Sequence, residues 1–162
     1  MTKFPDKINI RLHDGNTATI DAKDAHLVCG LHWSAIKSNG KIYAAHVARV
    51  GGKTKTTYMH RLLCDVDAQM TVDHINGNSL DNRRSNLRQA TQSENMRNVG
   101  LTCANTSGAK GVHWLKSASK WQARIRHEGK RIHLGLFDNL DDARAAYQSA
   151  AVRLHGEFCR NE

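Results

Sequence analysis

The chain is short of acidic residues, paired cysteines, aromatics and long apolar runs, and each shortage narrows the functions open to it. Asp and Glu number 15 against 24 Lys and Arg, a formal charge of +9 over 162 residues. An excess of that size favours a polyanionic partner over an acidic small substrate. Cys29, Cys64, Cys103 and Cys159 lie far apart and form no C-x-x-C pair. That argues against a zinc ribbon and a disulfide-stapled secreted scaffold, and leaves reduced thiols. No stretch approaches the ~18 apolar residues of a membrane span, and the N-terminus shows no apolar signal core, so no membrane is expected and the compartment expected is the cytoplasm. Aromatics make up 6% of the chain, too sparse for stacking on single strands to be favoured. Double-stranded DNA is therefore the expected partner, with an RNA-binding module as a rival. With 40% hydrophobic residues, the chain can bury one modest core or two small ones.

What is present begins with turn signals. Asp14-Gly15-Asn16 separates INIRL from TATI, as in a hairpin, and DAKDAHLV offers an Asp-capped helical turn. A second strand pair runs through HWSAIKS and KIYAAHVARV around Ser38-Asn39-Gly40, after which GGKTKT is expected to turn the chain toward TYMHRLL. Trp33 and Tyr43 read as core or half-core packing. Lys53 and Lys55, at the expected hairpin tip, are placed to touch phosphate.

The pattern changes between residues 70 and 99. A short strand TVDHI, a polar loop NGNSLDNRRSN, a short strand LRQAT and a helix opening at SENMRN, capped by Thr91 or Ser93, make a ββα outline. It sets an imidazole, His74, beside a carboxylate, Asp73, and the helix start faces the first strand, which brings in a second oxygen donor, Asn95. Cleaving a phosphodiester requires a group that takes a proton from water and charge that stabilises the phosphorane and the departing oxygen. One imidazole and one cation held by two hard oxygens can supply these, and such donors prefer Mg²⁺ or Mn²⁺ to Zn²⁺. Asn86, at the end of the loop, can fix its shape through both ends of the amide. Arg83, Arg84 and Arg88 surround the centre, where they either grip flanking phosphates or, as solvated or Asp81-paired arginines, do not.

Residues 99 to 110 are small and polar and read as a connector. Beyond them, Trp121, Ala123 and Ile125 alternate with Gln122, Arg124 and Arg126, and Ile132, Leu134 and Leu136 alternate with Arg131, His133 and Gly135. One sheet face is expected to be apolar and the other basic, with Gly135 on the basic face. The apolar face needs a cover, and a helix capped by Asn139 supplies one through Leu140, Ala143, Tyr147, Ala150, Ala151 and Leu154. From residue 108 to 133, seven basic residues face Glu128 alone, which concentrates the polyanion-binding surface there.

MHRLL, VDHINGN, LDNRRSNLR and QSENMRN, in this order over residues 58 to 98, resemble the phage and intron-encoded HNH homing endonucleases, in the subgroup that ends in Asn. The resemblance implies His74 as general base, Asp73 and Asn95 as metal ligands, Asn86 as the loop-organising residue, and products ending in 5′-phosphate and 3′-hydroxyl. His60, in an HRLL block shared with those relatives, either assists at the phosphate or anchors its segment by a buried hydrogen bond.

Residues 110 to 158 are similar to the ethylene-response-factor type of DNA-binding domain. That resemblance implies a three-stranded antiparallel sheet lying in the major groove, with DNA contacts from His113, Trp114, Arg124, Arg126, Arg131 and His133, and with Lys110 among the lysines at phosphates. Arg124 and His133 depart from the acidic and aromatic residues usual in plant members, so target preference does not transfer.

The expected fold is α+β: a small mixed N-terminal scaffold, a central ββα-metal motif, and a C-terminal three-stranded sheet packed on one helix. The expected divisions are 1-98 (scaffold 1-57, nuclease core 58-98), a linker at 99-109, and a DNA-binding domain at 110-162. The expected function is a site-specific, metal-dependent DNA endonuclease of homing type. It acts as a monomer without an obligate protein partner and nicks one strand per binding event. A catalytically silent DNA-binding regulator is the alternative.

Overall fold

The computed structural model describes residues 5–101 and 104–160. Cys103 lies outside the described residues, while Cys29, Cys64 and Cys159 form no disulfide among the described residues. Close contacts gather the chain into two compact units, Met1–Asn95 and Met96–Glu162, each with its own core. The architecture is α+β, built among the described residues from four small antiparallel sheets and a few helices. No helix among the described residues is long and apolar enough to cross a membrane.

The first unit opens with a hairpin of β1 (Lys7–Arg11) and β2 (Thr17–Asp21). A short helical segment follows, ending in α1 (Ala25–Val28), and neither Asp21 nor Asp24 caps it through its side chain. The chain then forms a meander of β3 (Ser34–Ser38), β4 (Lys41–Val50) and β5 (Lys53–Tyr58). The strand β5 replaces the expected turn through GGKTKT. The reversal is confined to Gly51-Gly52, and Lys53 and Lys55 pair with Val50 and Ala48. Strand β3 covers only Lys41 to Ala45 of β4, so the remainder of β4 and β5 continue as a two-stranded ribbon.

A short helix α2 (Met59–Leu63) leads to the two-stranded sheet of β6 (Thr71–His74) and β7 (Leu87–Ala90), and α3 (Gln92–Arg97) follows. Thr91, not Ser93, caps α3: Thr91 Oγ1 accepts from Glu94 N–H at 3.2 Å while Glu94 Oε2 accepts from Thr91 N–H at 2.8 Å. This reciprocal capping box satisfies two otherwise orphaned amides at the helix start. Val72 and Leu87 of the β6–β7 sheet bury themselves in the same core as Leu12, Ile20, Trp33, Met59 and Leu63. The ββα element therefore shares its hydrophobic interior with the N-terminal scaffold.

The second unit is a sheet in the order β10-β9-β8, formed by β8 (Val112–Leu115), β9 (Lys120–His127) and β10 (Lys130–Phe137), covered by α4 (Leu140–His155). Asn139 caps α4 by accepting from Asp142 N–H at 2.8 Å. The helix buries Ala143, Ala150 and Ala151 and packs Leu140, Tyr147 and Leu154 against Ala123 and Ile125.

The alternation expected along β10 is broken. A bulge at Leu134 shifts the register between His133, opposite Arg124, and Gly135, opposite Ala123. Beyond a bulge the side chains exchange faces. Gly135 consequently joins Ala123 on the helix-facing side, Leu136 moves opposite Gln122 and is 41% exposed, and Phe137 takes the inward place. Glycine suits that place, because its φ of 141° is one that L side chains rarely adopt and a Cβ would stand 2.9 Å from the Phe137 ring. Before β8, the stretch expected to be a connector is tied down locally: Ser107 Oγ donates to Val112 O at 2.7 Å and Asn105 Nδ2 to Ala109 O at 2.9 Å.

Candidate active site and nucleic-acid interface

The β6–β7 ladder positions the centre. It pairs Asp73 with Arg88 and His74 with Leu87, and all four leave little surface to solvent. The loop between the strands is then shaped by amides. Asn86 Oδ1 accepts from Asn76 N–H at 2.9 Å and Asn86 Nδ2 donates to Asp81 O at 2.7 Å. Asn76 Nδ2 donates to Asp81 Oδ2 at 2.9 Å, and Asn76 and Asn78 each accept from a backbone amide two residues on. Short Asx turns of this kind give a polar loop one shape without an apolar core of its own.

The scaffold holds that loop from outside. Thr19 N–H donates to Leu80 O at 2.8 Å and Asn82 N–H to Thr19 O at 2.7 Å, a parallel bridge between β2 and the loop. Ser79 Oγ donates to Ile42 O at 2.6 Å. Arg84 reaches Asp24 with both arms of its guanidinium, at 2.8 and 3.0 Å, while its backbone N–H donates to Asp21 Oδ2.

His74 is 4% exposed, and its Nε2 lies 3.4 Å from Asn82 Oδ1. The other end of the Asn82 amide donates to Leu80 O at 3.2 Å, so the oxygen is the atom turned to the imidazole. An acceptor there favours the tautomer with the proton on Nε2. Burial pulls His74 below the ordinary imidazole range and Lys41 adds to this, against the opposing effects of the Asn82 bond, Asp73 and Asp81. The ring is therefore neutral at pH 7, the state a general base requires.

His60 lies edge-on to His74 with ring centroids 5.3 Å apart, stacked on Tyr58 and edged by Tyr43. Burial, with His74 and Arg61 adding repulsion, pushes His60 down to about 3. Its buried Nδ1 has no hydrogen-bond partner among the described residues. Among the described residues His60 is held by packing on the rings of Tyr58, Tyr43 and His74, with no hydrogen bond at Nδ1. Burial also raises Tyr43, which sits beside both histidines. Nothing in the sequence distinguishes Asn82 from the other loop asparagines or Tyr43 from ordinary packing, since their contacts depend on the folded loop.

The remaining residues fall into two groups. Arg83 Nε and Nη2 donate to Asp81 at 2.7 and 2.6 Å, Arg84 is held by Asp24, and Arg88 donates to Asp73 Oδ2 at 2.9 and 2.7 Å. All three arginines of this region are engaged in ion pairs. Asn95 lies on α3, half-buried, within the same unit as Asp73.

In the second unit, antiparallel pairing sets Arg126 opposite Arg131, Arg124 opposite His133, and His113 opposite Gln122, all on one face. Gln122 Nε2 lies 3.2 Å from His133 Nδ1. His113, Arg124, Arg126 and Arg131 line a common open hollow of about 460 Å³. Trp114 is not on that face: it opposes Trp121, with ring centroids 5.2 Å apart, and is 45% exposed. Lys110 also departs from the expected arrangement, because its ammonium turns inward to donate to Arg97 O and Val99 O.

The sequence profile of the HNH endonuclease family matches residues 58–97, the span that contains β6, the loop, β7 and α3. Protein 3.8 of Escherichia phage T7 is 37% identical over 89 residues, covering 55% of this chain and 73% of that protein. The chain carries an HNH endonuclease domain and belongs to the family of Protein 3.8. An uncharacterized HNH endonuclease, L560, of Acanthamoeba polyphaga mimivirus is 31% identical over 93 residues, covering 57% of this chain and 47% of that relative. No solved structure matches the chain. The Asp73-His74 pair and Asn86 all fall inside the matched HNH domain, as does Asn95.

Proposed function

We propose that the protein is a metal-dependent endonuclease of homing type that nicks duplex DNA, with His74 as general base. The observation that carries this reading is the buried, neutral His74 whose Nε2 faces Asn82 Oδ1, next in sequence to the carboxylate of Asp73. In that arrangement Nδ1 takes the proton from the attacking water, and Asn82 holds the ring as it becomes imidazolium.

The donor set fits a hard divalent cation. Asp73 contributes a carboxylate and Asn95 an amide oxygen, which suits Mg²⁺ or Mn²⁺. The described residues contain no cluster of three His, Cys, Asp or Glu side chains, so water and phosphate would complete the coordination. When bound, the cation supplies positive charge to the phosphate and to the leaving 3′-oxygen. The products would be 5′-phosphate and 3′-hydroxyl.

Duplex binding is assigned to the face of Arg124, Arg126, Arg131, His113 and His133, where guanidiniums can meet base edges or phosphates. One centre cuts one strand, so a monomer nicks. Supercoiled plasmid incubated with Mg²⁺ tests the reading. The parent is expected to produce relaxed circles and His74→Ala is not. Equal relaxation by the two would remove His74 from the chemistry, and a parent that binds plasmid without relaxing it would favour the silent regulator.

A further inference from the structure

The residue opposite the proposed metal carboxylate is itself a cation. Strand pairing sets Arg88 directly across from Asp73. Its Nε and Nη2 both donate to Asp73 Oδ2, at 2.9 and 2.7 Å, and the side chains are 11% and 2% exposed. A guanidinium and a divalent ion drawn to one carboxylate repel each other, and burial removes much of the water that would screen them.

The composition of the site sharpens the conflict. Of the two proposed ligands, Asp73 carries a charge and Asn95 is neutral. The charge of Asp73 is therefore balanced by Arg88 before any cation arrives, and a balanced pair attracts a divalent ion weakly. A DNA phosphate changes this, because it adds a negative charge and a further oxygen donor.

We propose that Arg88 is a positioning residue that makes cation loading depend on DNA: it fixes the Asp73 carboxylate in the free protein and keeps the site's affinity for divalent ions low until a phosphate is seated. The proposal rests on the nuclease reading, since it takes Asp73 as the metal ligand. Linkage makes the effect reciprocal, so a cation held more tightly in the presence of DNA must in turn tighten DNA by the same factor.

Two measurements on the full chain test it. In the first, Mn²⁺ binding to the DNA-free protein is followed by electron paramagnetic resonance of the unbound ion. Arg88→Gln should bind at least tenfold more tightly than the parent, Arg88→Lys should stay near the parent, and Asp73→Asn added to Arg88→Gln should abolish the gain. No gain in Arg88→Gln, or a gain that survives Asp73→Asn, overturns the proposal.

The second measurement does not depend on a variant at Arg88 folding. Anisotropy of a labelled pool of 30-base-pair duplexes is read with the His74→Ala chain, which is not expected to cut, at constant ionic strength with and without Mg²⁺. Mg²⁺ should tighten binding at least threefold and Asp73→Asn should cancel that, whereas unchanged or weakened binding in Mg²⁺ refutes the coupling. The nuclease reading fails separately: if plasmid relaxation depends on His74 and Asp73 while neither measurement shows the expected change, only the role of Arg88 is lost.

Discussion

Asn82 presents its side-chain oxygen to His74 Nε2 at 3.4 Å while its amide nitrogen donates to Leu80 O. The contact orients the imidazole and favours its Nε2–H tautomer. Asn82→Leu keeps the volume but removes the acceptor, and the nicking rate should fall about ten- to a hundredfold. Duplex affinity should stay within about twofold, because Asn82 is 1% exposed and makes no surface. A gel assay under single-turnover conditions beside an anisotropy titration measures both, and a variant with the parental rate would show that the bond is incidental.

Stability should decline in mild acid. His60 is held at about 3 against an ordinary 6.5, and His74 and His155 are lowered as well. For a depressed imidazole the unfolded chain takes up protons that the folded chain refuses, so stability is whole above the ordinary value and drains away as pH falls toward the folded one. For His60, between those two values, the slope is on the order of 1 kcal/mol per pH unit. Urea melts at pH 7.5, 6 and 5 should show falling midpoints, with a shallower fall in His60→Phe. Midpoints that hold steady across this range would contradict the burial of these rings.

Two glycines with matching backbones separate strain from collision. Gly108 and Gly111 have φ of 71° and 70°, but a Cβ on Gly108 meets nothing within 4 Å. On Gly111 it would stand 2.2 Å from the Tyr147 ring and 2.6 Å from Arg124 O. Gly108→Ala should cost about 1–2 kcal/mol from the left-handed backbone alone. Gly111→Ala should cost at least about 1–3 kcal/mol more from overpacking. Equal losses in denaturant melts would mean that Tyr147 moves aside freely.

The basic face makes a salt prediction. Each phosphate contact removed lowers the slope of log affinity against log salt by about 0.9. Arg124→Ala, Arg126→Ala and Arg131→Ala combined should therefore flatten the slope by about 2–3. Trp114→Ala, on the other face, should leave the slope alone. A triple variant with the parental salt dependence would place the DNA elsewhere on the chain.

The parts of the fold legible in the sequence are those written locally. Asp14-Gly15-Asn16 and Ser38-Asn39-Gly40 mark turns between strands that do pair, and the stripe from Leu140 to Leu154 finds its sheet. Strand β5 escapes because its first four residues are exposed on both faces, so Lys53 to Thr56 show no apolar period to read. The bulge at Leu134 escapes for the opposite reason: Ile132, Leu134 and Leu136 keep a regular alternation that the backbone does not follow. In the site, Asp73 and His74 stand out as a pair, but their partners do not. Arg84 meets Asp24 across 60 positions and Ser79 meets Ile42 across 37. Such distant polar contacts leave no local trace.

The bridge from Thr19 to the loop around Leu80 and Asn82 has a practical meaning for anyone moving this centre to another protein. A cassette cut at the edges of the matched motif would carry Asp73 and His74 but abandon the strand that braces their loop. The smallest portable unit is therefore larger than the motif and has to include the hairpin at the front of the chain.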